Sequence, residues 1–226
     1  RNIGGRSEAP ADSITLGPAF APGVDLVAQP DCLPLASDSV DRVLIEATLE
    51  YAADPNAVLR EVYRVARHAA QVCAVLPYTR PEHAVSNPRH RQLFNERTPG
   101  LWTPSRPPVY ELEEISRNLT DEDLAAIEGS RPLFDVCAAR LEFFYAADYL
   151  YTDRQERSRL RMEVPQACDF MLLQALVVKK ELPEDGFARL VEEQSFFEPA
   201  AVTRRRLADQ AQFFKIGLDF QRNRYE

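Results

Sequence analysis

The sequence predicts an α/β protein built on a doubly wound, mostly parallel sheet, with an antiparallel edge hairpin and a C-terminal helical extension. Three observations carry that prediction. Two continuous apolar runs, at 41–47 and 71–78, flank one strongly periodic segment, the pattern of buried parallel strands joined by a helix on the sheet face. Two long strand candidates, about 134–145 and 169–180, follow with a charged connection between them. Residues 183–226 then read as helical to the end.

Taken in order, Arg1 to Gly5 read as the end of a strand entering a tight turn. Ile14–Leu16 and Val24–Val27 are short strand candidates, separated by Gly17, Pro18, Pro22 and Gly23. Asp41–Ala47 is a stronger strand, with Val43, Leu44 and Ile45 as its buried run. From Asp54-Pro55 to about Arg67 the pattern becomes helical: Asp54 is suited to the N-cap and Pro55 to the first helical position. Val58, Leu59, Val62, Val65 and Ala66 form its apolar stripe. Gln71–Tyr78 is another buried strand, ended at Pro77.

The stretch 79–118 is proline-rich, holds His83, His90 and the single Trp, and predicts a loop-rich insertion or lid. Trp102, with Pro104, Pro107 and Pro108 nearby, suits a loop anchor or a pocket wall. Residues 119–129 predict a helix with Thr120 as cap and Gly129 as stop. The domain reading is therefore an α/β unit over 1–182 and a helical extension over 183–226, its last helix opened by Pro199. Leu207, Ala211, Phe214 and Leu218 lie on one stripe of that helix, with Phe213 and Phe220 beside it. Such a face has to pack, either against a second copy in a homodimer, the preferred reading, or back on its own sheet. Arg204-Arg205-Arg206 reads as a solvated polar face.

Composition excludes several function classes. The formal charge is −8 over 226 residues, which argues against a sequence-independent grip on nucleic-acid phosphates. No apolar run approaches the roughly 20 residues of a membrane helix, and no signal-peptide pattern opens the sequence, so a cytoplasmic protein is expected. The 4 cysteines (Cys32, Cys73, Cys137 and Cys168) are scattered, and His83 and His90 have no companion ligands at a fixed offset, so no metal site is expected. Cys73 and Cys168 sit in apolar runs and read as buried thiols. With 8 glycines and only Gly4-Gly5 adjacent, a P-loop or dinucleotide cradle is not expected.

Residues 31–43, Asp-Cys-Leu-Pro-Leu-Ala-Ser-Asp-Ser-Val-Asp-Arg-Val, are specific enough to compare with a family. They resemble the "LPF-x-D-x-S-x-D-x-V" segment of class I S-adenosylmethionine-dependent methyltransferases, of the methyltransferase type 11 kind. The likeness continues through Glu46–Tyr51 and Asp54-Pro55, and Leu59–Val65 resembles the family's "L-x-E-x-x-R-V-L" helix. Val75–Tyr78 is similar to the end of the fifth strand, and Arg91–Asn95 to the segment after it. The likeness is strongest over 24–80.

That resemblance implies a Rossmann-like fold with the cofactor S-adenosylmethionine held at the carboxyl ends of the strands. It implies Gly4 and Gly5 in the turn after the first strand. Gln29, Asp31 and Cys32 would stand after the third strand near the adenine, and the backbone at Glu46 and Ala47 near the sulfonium. Tyr78 and His83 would face the substrate. The sequence departs from the family at five points: Ile3-Gly4-Gly5-Arg6 has two glycines rather than three, Leu16-Gly17 ends the second strand without a carboxylate, Gln29 stands at the usual acid position, Glu50-Tyr51 stands where the family has "E-H", and Arg67–Ala70 replaces a glycine turn. The implied function is methyl transfer to a small molecule or saccharide. The alternative is an inactive methyltransferase-fold scaffold or partner-binding subunit.

Overall fold

A computed structural model describes residues 2–3, 13–19, 21–78, 87–96, 98–102, 135–150, 154–164, 166–183 and 185–222. Seven strands form one sheet: β1 (Asn2–Ile3), β2 (Thr15–Gly17), β3 (Leu26–Val27), β4 (Val40–Glu46), β5 (Ala66–Pro77), β6 (Val136–Tyr145) and β7 (Cys168–Val177). Their spatial order is β3-β2-β1-β4-β5-β7-β6. All pairs from β3 to β5 are parallel, whereas β7 runs antiparallel to both β5 and β6. The expected mostly parallel sheet and antiparallel edge pair are both present, with β4 directly beside β5 (Val43 opposite Val72, Glu46 opposite Val75).

Helix α1 (Pro55–Val65) links β4 to β5. Its Asp54 cap accepts the Asn56 amide at 2.9 Å, and Val58, Leu59, Val62 and Val65 are buried. The helix stops at Val65, two residues earlier than the pattern suggests, because β5 begins at once with Ala66. Ala69 makes that possible by taking φ 63° where the family has glycine, and the ladder with β4 shifts register between Val40 and Arg42. β6 and β7 are joined through α2 (Arg154–Glu163), and α3 (Gly186–Glu193) and α4 (Ala200–Arg222) follow. The helix expected at 119–129 lies outside the described residues, as do Gly4, Gly5 and His83.

Alternation along the strands divides the core between the two sheet faces. Val43, Ile45, Val72, Ala74, Met171 and Leu173 pack with α1 on one side. On the other, Leu44, Cys73, Phe144 and Leu172 meet Val202 of α4, while Cys137, Leu176 and Val178 meet Phe187 of α3. The buried amides of Gln71 and Gln174 fasten this second layer: Gln71 Nε2 donates to Gln194 Oε1 at 2.8 Å, and Gln174 Nε2 to the Phe197 carbonyl at 3.0 Å.

The seating of α4 differs from the sequence expectation. Leu207 is 62% exposed, Phe213 54% and Phe214 71%, so the described part of the apolar stripe is not what packs on the sheet, while the side chains of Leu218 and Phe220 lie outside what is described. Val202 and two arginines do that instead. Arg205 donates to Asp169 at 2.9 Å and to the Tyr145 carbonyl, and lies over the Phe170 ring. Arg206 pairs with Glu142 and Glu198 over the Phe144 ring. Arg205 and Arg206 are therefore a clamp rather than a solvated face, because a guanidinium covers an aromatic ring while its N–H fork reaches carboxylates, whereas Arg204 is exposed.

Candidate active site

Strand order reverses between β1 and β4, and in an open α/β sheet that switch point opens a crevice at the carboxyl ends of the strands. Gly17, Val27, Glu46, Pro77 and Tyr145 close β2, β3, β4, β5 and β6 on that edge.

The loop after β3 is shaped by α1. Cys32 N–H donates to the Gln29 carbonyl at 3.1 Å, closing a tight turn on which Gln29, Asp31 and Cys32 are all exposed. Glu61 accepts the Leu33 amide at 2.9 Å, and Arg64 donates to the Leu33 and Leu35 carbonyls at 2.9 Å each. Glu61 and Arg64 also pair with each other at 2.8 Å, so the helix motif splints the loop. The hydrogen bond from Arg64 holds the Glu61 carboxyl below its ordinary range.

After β4 the chain turns sharply at Ala47, whose φ of 46° is left-handed. A short 3-10 turn, Leu49–Tyr51, follows. Its Glu50 is only 6% exposed; its carboxylate accepts the Thr48 amide at 3.0 Å, yet burial pushes its pKa up. The Glu50 carbonyl takes the Arg91 amide at 2.7 Å, which brings the segment after β5 over this turn. His90 stands edge-on to Tyr51 at 5.1 Å, with its Nδ1 buried and without a hydrogen-bond partner among the described residues.

After β5, Tyr78 donates to Glu96 at 2.8 Å, and Arg161 of α2 approaches the same carboxylate at 3.7 Å. Arg161 also donates to the Tyr145 hydroxyl at 2.7 Å and lies 3.8 Å over the Phe143 ring. Burial first, and the Glu96 carboxylate second, push the Tyr78 phenol up, so it keeps its proton. Trp102 is a buried anchor packed edge-on to Phe94 at 6.4 Å.

Of the residues the sequence singles out, Gln29, Asp31, Cys32, Glu46, Ala47 and Tyr78 all fall on the carboxyl-end loops and strand ends of the one sheet. Glu50, Glu96, Tyr145 and Arg161 were not foreseen; the only signal for Glu50 was its place at the family's "E-H" position. A candidate cofactor meets a mixed reception here. The exposed Gln29–Cys32 turn fits an adenine edge, but β2 offers no carboxylate to the ribose. A Cβ added at Gly17 would stand 3.0 Å from Val24, and the nearby Asp25 already accepts the Thr15 amide at 2.8 Å.

Residues 15–74, from β2 through most of β5, match a family model described as "Methyltransferase domain". Over this segment, about a quarter of the chain, the sequence is similar to the methyltransferase family. The family match thus covers the Gln29–Cys32 turn, the Glu61–Arg64 splint and the Glu50 turn. No curated protein matches the chain.

Solved structures similar to it include the complex of the Haloferax volcanii Trm112 methyltransferase activator with a methyltransferase, at 14% identity over 74% of this chain and 72% of that one, with a TM-score of 0.42. An S-adenosylmethionine-dependent methyltransferase from Thermotoga maritima is similar at 13% identity, covering 72% of each chain, with a TM-score of 0.39. A methyltransferase from Bacillus halodurans follows at 10% identity over 70% of this chain and 74% of that one, with a TM-score of 0.38.

Proposed function

We propose that the chain binds S-adenosylmethionine at the β1/β4 switch point and directs its methyl group to a small molecule or saccharide. The observation that supports this best is the splinted turn after β3, where Glu61 and Arg64 hold exposed Gln29, Asp31 and Cys32 within the segment that matches the methyltransferase family. Gln29 and Asp31 would meet the adenine edge, Cys32 would lie beside it, and the Glu46–Ala47 backbone would border the methyl-bearing end.

The bound cofactor supplies an electrophilic methyl; the chain's own residues position the acceptor and exclude water. Tyr78, protonated and hydrogen-bonded to Glu96, orients an acceptor rather than removing its proton, since a phenol raised by burial is a poor base near neutrality. His83 is the second substrate-side candidate from the sequence.

Isothermal titration with S-adenosylhomocysteine tests the reading. A dissociation constant below about 100 µM, near −5.5 kcal/mol, supports it, and Asp31→Ala should weaken that binding. The bare β2 end at Gly17 favours a second reading, a methyltransferase-fold scaffold that works through a protein partner. Absence of binding at millimolar ligand, in a chain that is folded by circular dichroism, decides for the scaffold.

A further inference from the structure

The sheet order leaves β6 at one edge, with β5 and β7 between it and β4. Along the outer half of β6, from Glu142 to Tyr145, α4 crosses with its Arg206–Phe214 stretch and encloses a groove of about 520 Å³. That volume falls in the range of small-molecule sites, roughly 300–1,000 Å³. Phe144, Leu150, Phe213 and Phe214 give it apolar walls, and the two α4 phenylalanines are more than half exposed.

The charges along the groove are unevenly matched. Glu142 is paired with Arg206, and Asp209 with Arg205 at 2.7 Å. Arg157 of α2 also lines the groove, and among the described residues it has neither an ion pair nor a hydrogen bond. Its Nε is buried without an acceptor among the described residues, and its guanidinium stands 5.7 Å from the centre of the Tyr145 ring. A guanidinium short of acceptors beside exposed aromatic rings calls for an occupant that brings both an acid group and apolar surface.

We propose that this groove binds a small apolar anion, an aromatic or fatty carboxylate, whose acid group pairs with Arg157 while its body covers Phe144, Leu150, Phe213 and Phe214. The site shares Phe143 and Tyr145 with the substrate side of the switch point, but none of its lining residues lies on the Gln29–Cys32 turn or at the Glu46–Ala47 strand end, so it does not depend on the cofactor reading.

The test uses the intact chain and two fluorescent probes of nearly equal shape, anionic 1-anilinonaphthalene-8-sulfonate and neutral N-phenyl-1-naphthylamine. One saturable site is expected, with the anion bound about tenfold tighter than the neutral probe. Arg157→Gln should erase that preference, Arg157→Lys should keep most of it, and Phe214→Ser should weaken both probes. Near-UV circular dichroism checks that each variant is folded. Saturating S-adenosylhomocysteine should leave probe affinity unchanged.

Equal affinity for the two probes overturns the proposal, as does an unchanged preference in Arg157→Gln. Competition by S-adenosylhomocysteine overturns it by moving the probe to the crevice. A sedimentation mass of two chains that falls to one in Phe214→Ser overturns it by giving the face to a second copy.

Discussion

Glu61 in the middle of α1 accepts the backbone amide of Leu33 at 2.9 Å, across 28 residues of sequence. The carboxylate is held below its ordinary 4.5 chiefly by the hydrogen bond from Arg64. A depressed carboxyl contributes stability that is complete above the unfolded value and is lost as pH falls through the folded one. Glu61→Ala should therefore cost about 1–2 kcal/mol near neutrality, with the difference from the parent chain shrinking below pH 4.5. Urea denaturation at a series of pH values measures this; a difference that stays constant into strong acid would contradict the splint.

Glu50 works in the opposite sense. Burial raises its pKa above 4.5, so its ionisation destabilises the fold as pH rises from the unfolded value through the folded one. Gln keeps an oxygen that can accept the Thr48 amide and carries no charge. Glu50→Gln should raise the melting temperature at pH 7–8, and that gain should vanish below about pH 4.5. A destabilised variant at pH 8 would refute the argument.

Ala69 carries a left-handed φ of 63° in the first turn of β5. A Cβ costs about 1–2 kcal/mol there, partly offset by the greater freedom of glycine in the unfolded chain. Ala69→Gly should be stabilising by about 0.5–1 kcal/mol in chemical denaturation. Ala69→Val should be clearly destabilising.

The four thiols divide by burial. Cys32 is exposed, whereas Cys73, Cys137 and Cys168 are buried, and burial pushes Cys73 and Cys168 up to about 12. Iodoacetamide at pH 8 should label Cys32 alone in the native chain and all 4 thiols in guanidinium, as read by peptide mass mapping. Protection of Cys32 by S-adenosylhomocysteine would support the proposed adenine side.

Two residues of α4 separate its covered and open faces. Val202 is 1% exposed against Leu44 and Phe144, so Val202→Ala should cost roughly 2 kcal/mol. Leu207→Ala, at 62% exposure, should change stability by less than about 0.5 kcal/mol. Similar costs at both positions would mean that the open face is covered in solution.

Legibility in the sequence followed the range of the interaction. β4, α1 and the middle of β5 were readable because burial on both sheet faces writes a continuous apolar run, and Asp54-Pro55 writes a local cap. The start of β5 was hidden because Arg67-His68 is polar and Ala69 does the work of a glycine. The face of α4 was misread because periodicity counts leucine and phenylalanine, whereas Arg205 and Arg206 pack by laying guanidinium groups over Phe170 and Phe144. Tyr78 was picked out from its place after β5. Its partners Glu96 and Arg161 lie 18 and 83 positions further on (161 minus 78), and no spacing rule links residues that only the sheet edge brings together.

The insertion of β7 between β5 and β6 also bears on how the chain is made. A ribosome delivers β1 to β5 first, and their parallel pairing leaves β5 with an unpaired edge rich in Val72, Cys73 and Leu76. β6 emerges next but has no bond to β5; only when residues 168–177 arrive can one strand satisfy both neighbours at once. The growing polypeptide therefore carries a sticky border from the completion of β5 at Pro77 until β7 begins at Cys168, and a nascent chain stalled before Cys168 should be a preferred client of chaperones that shield open strands.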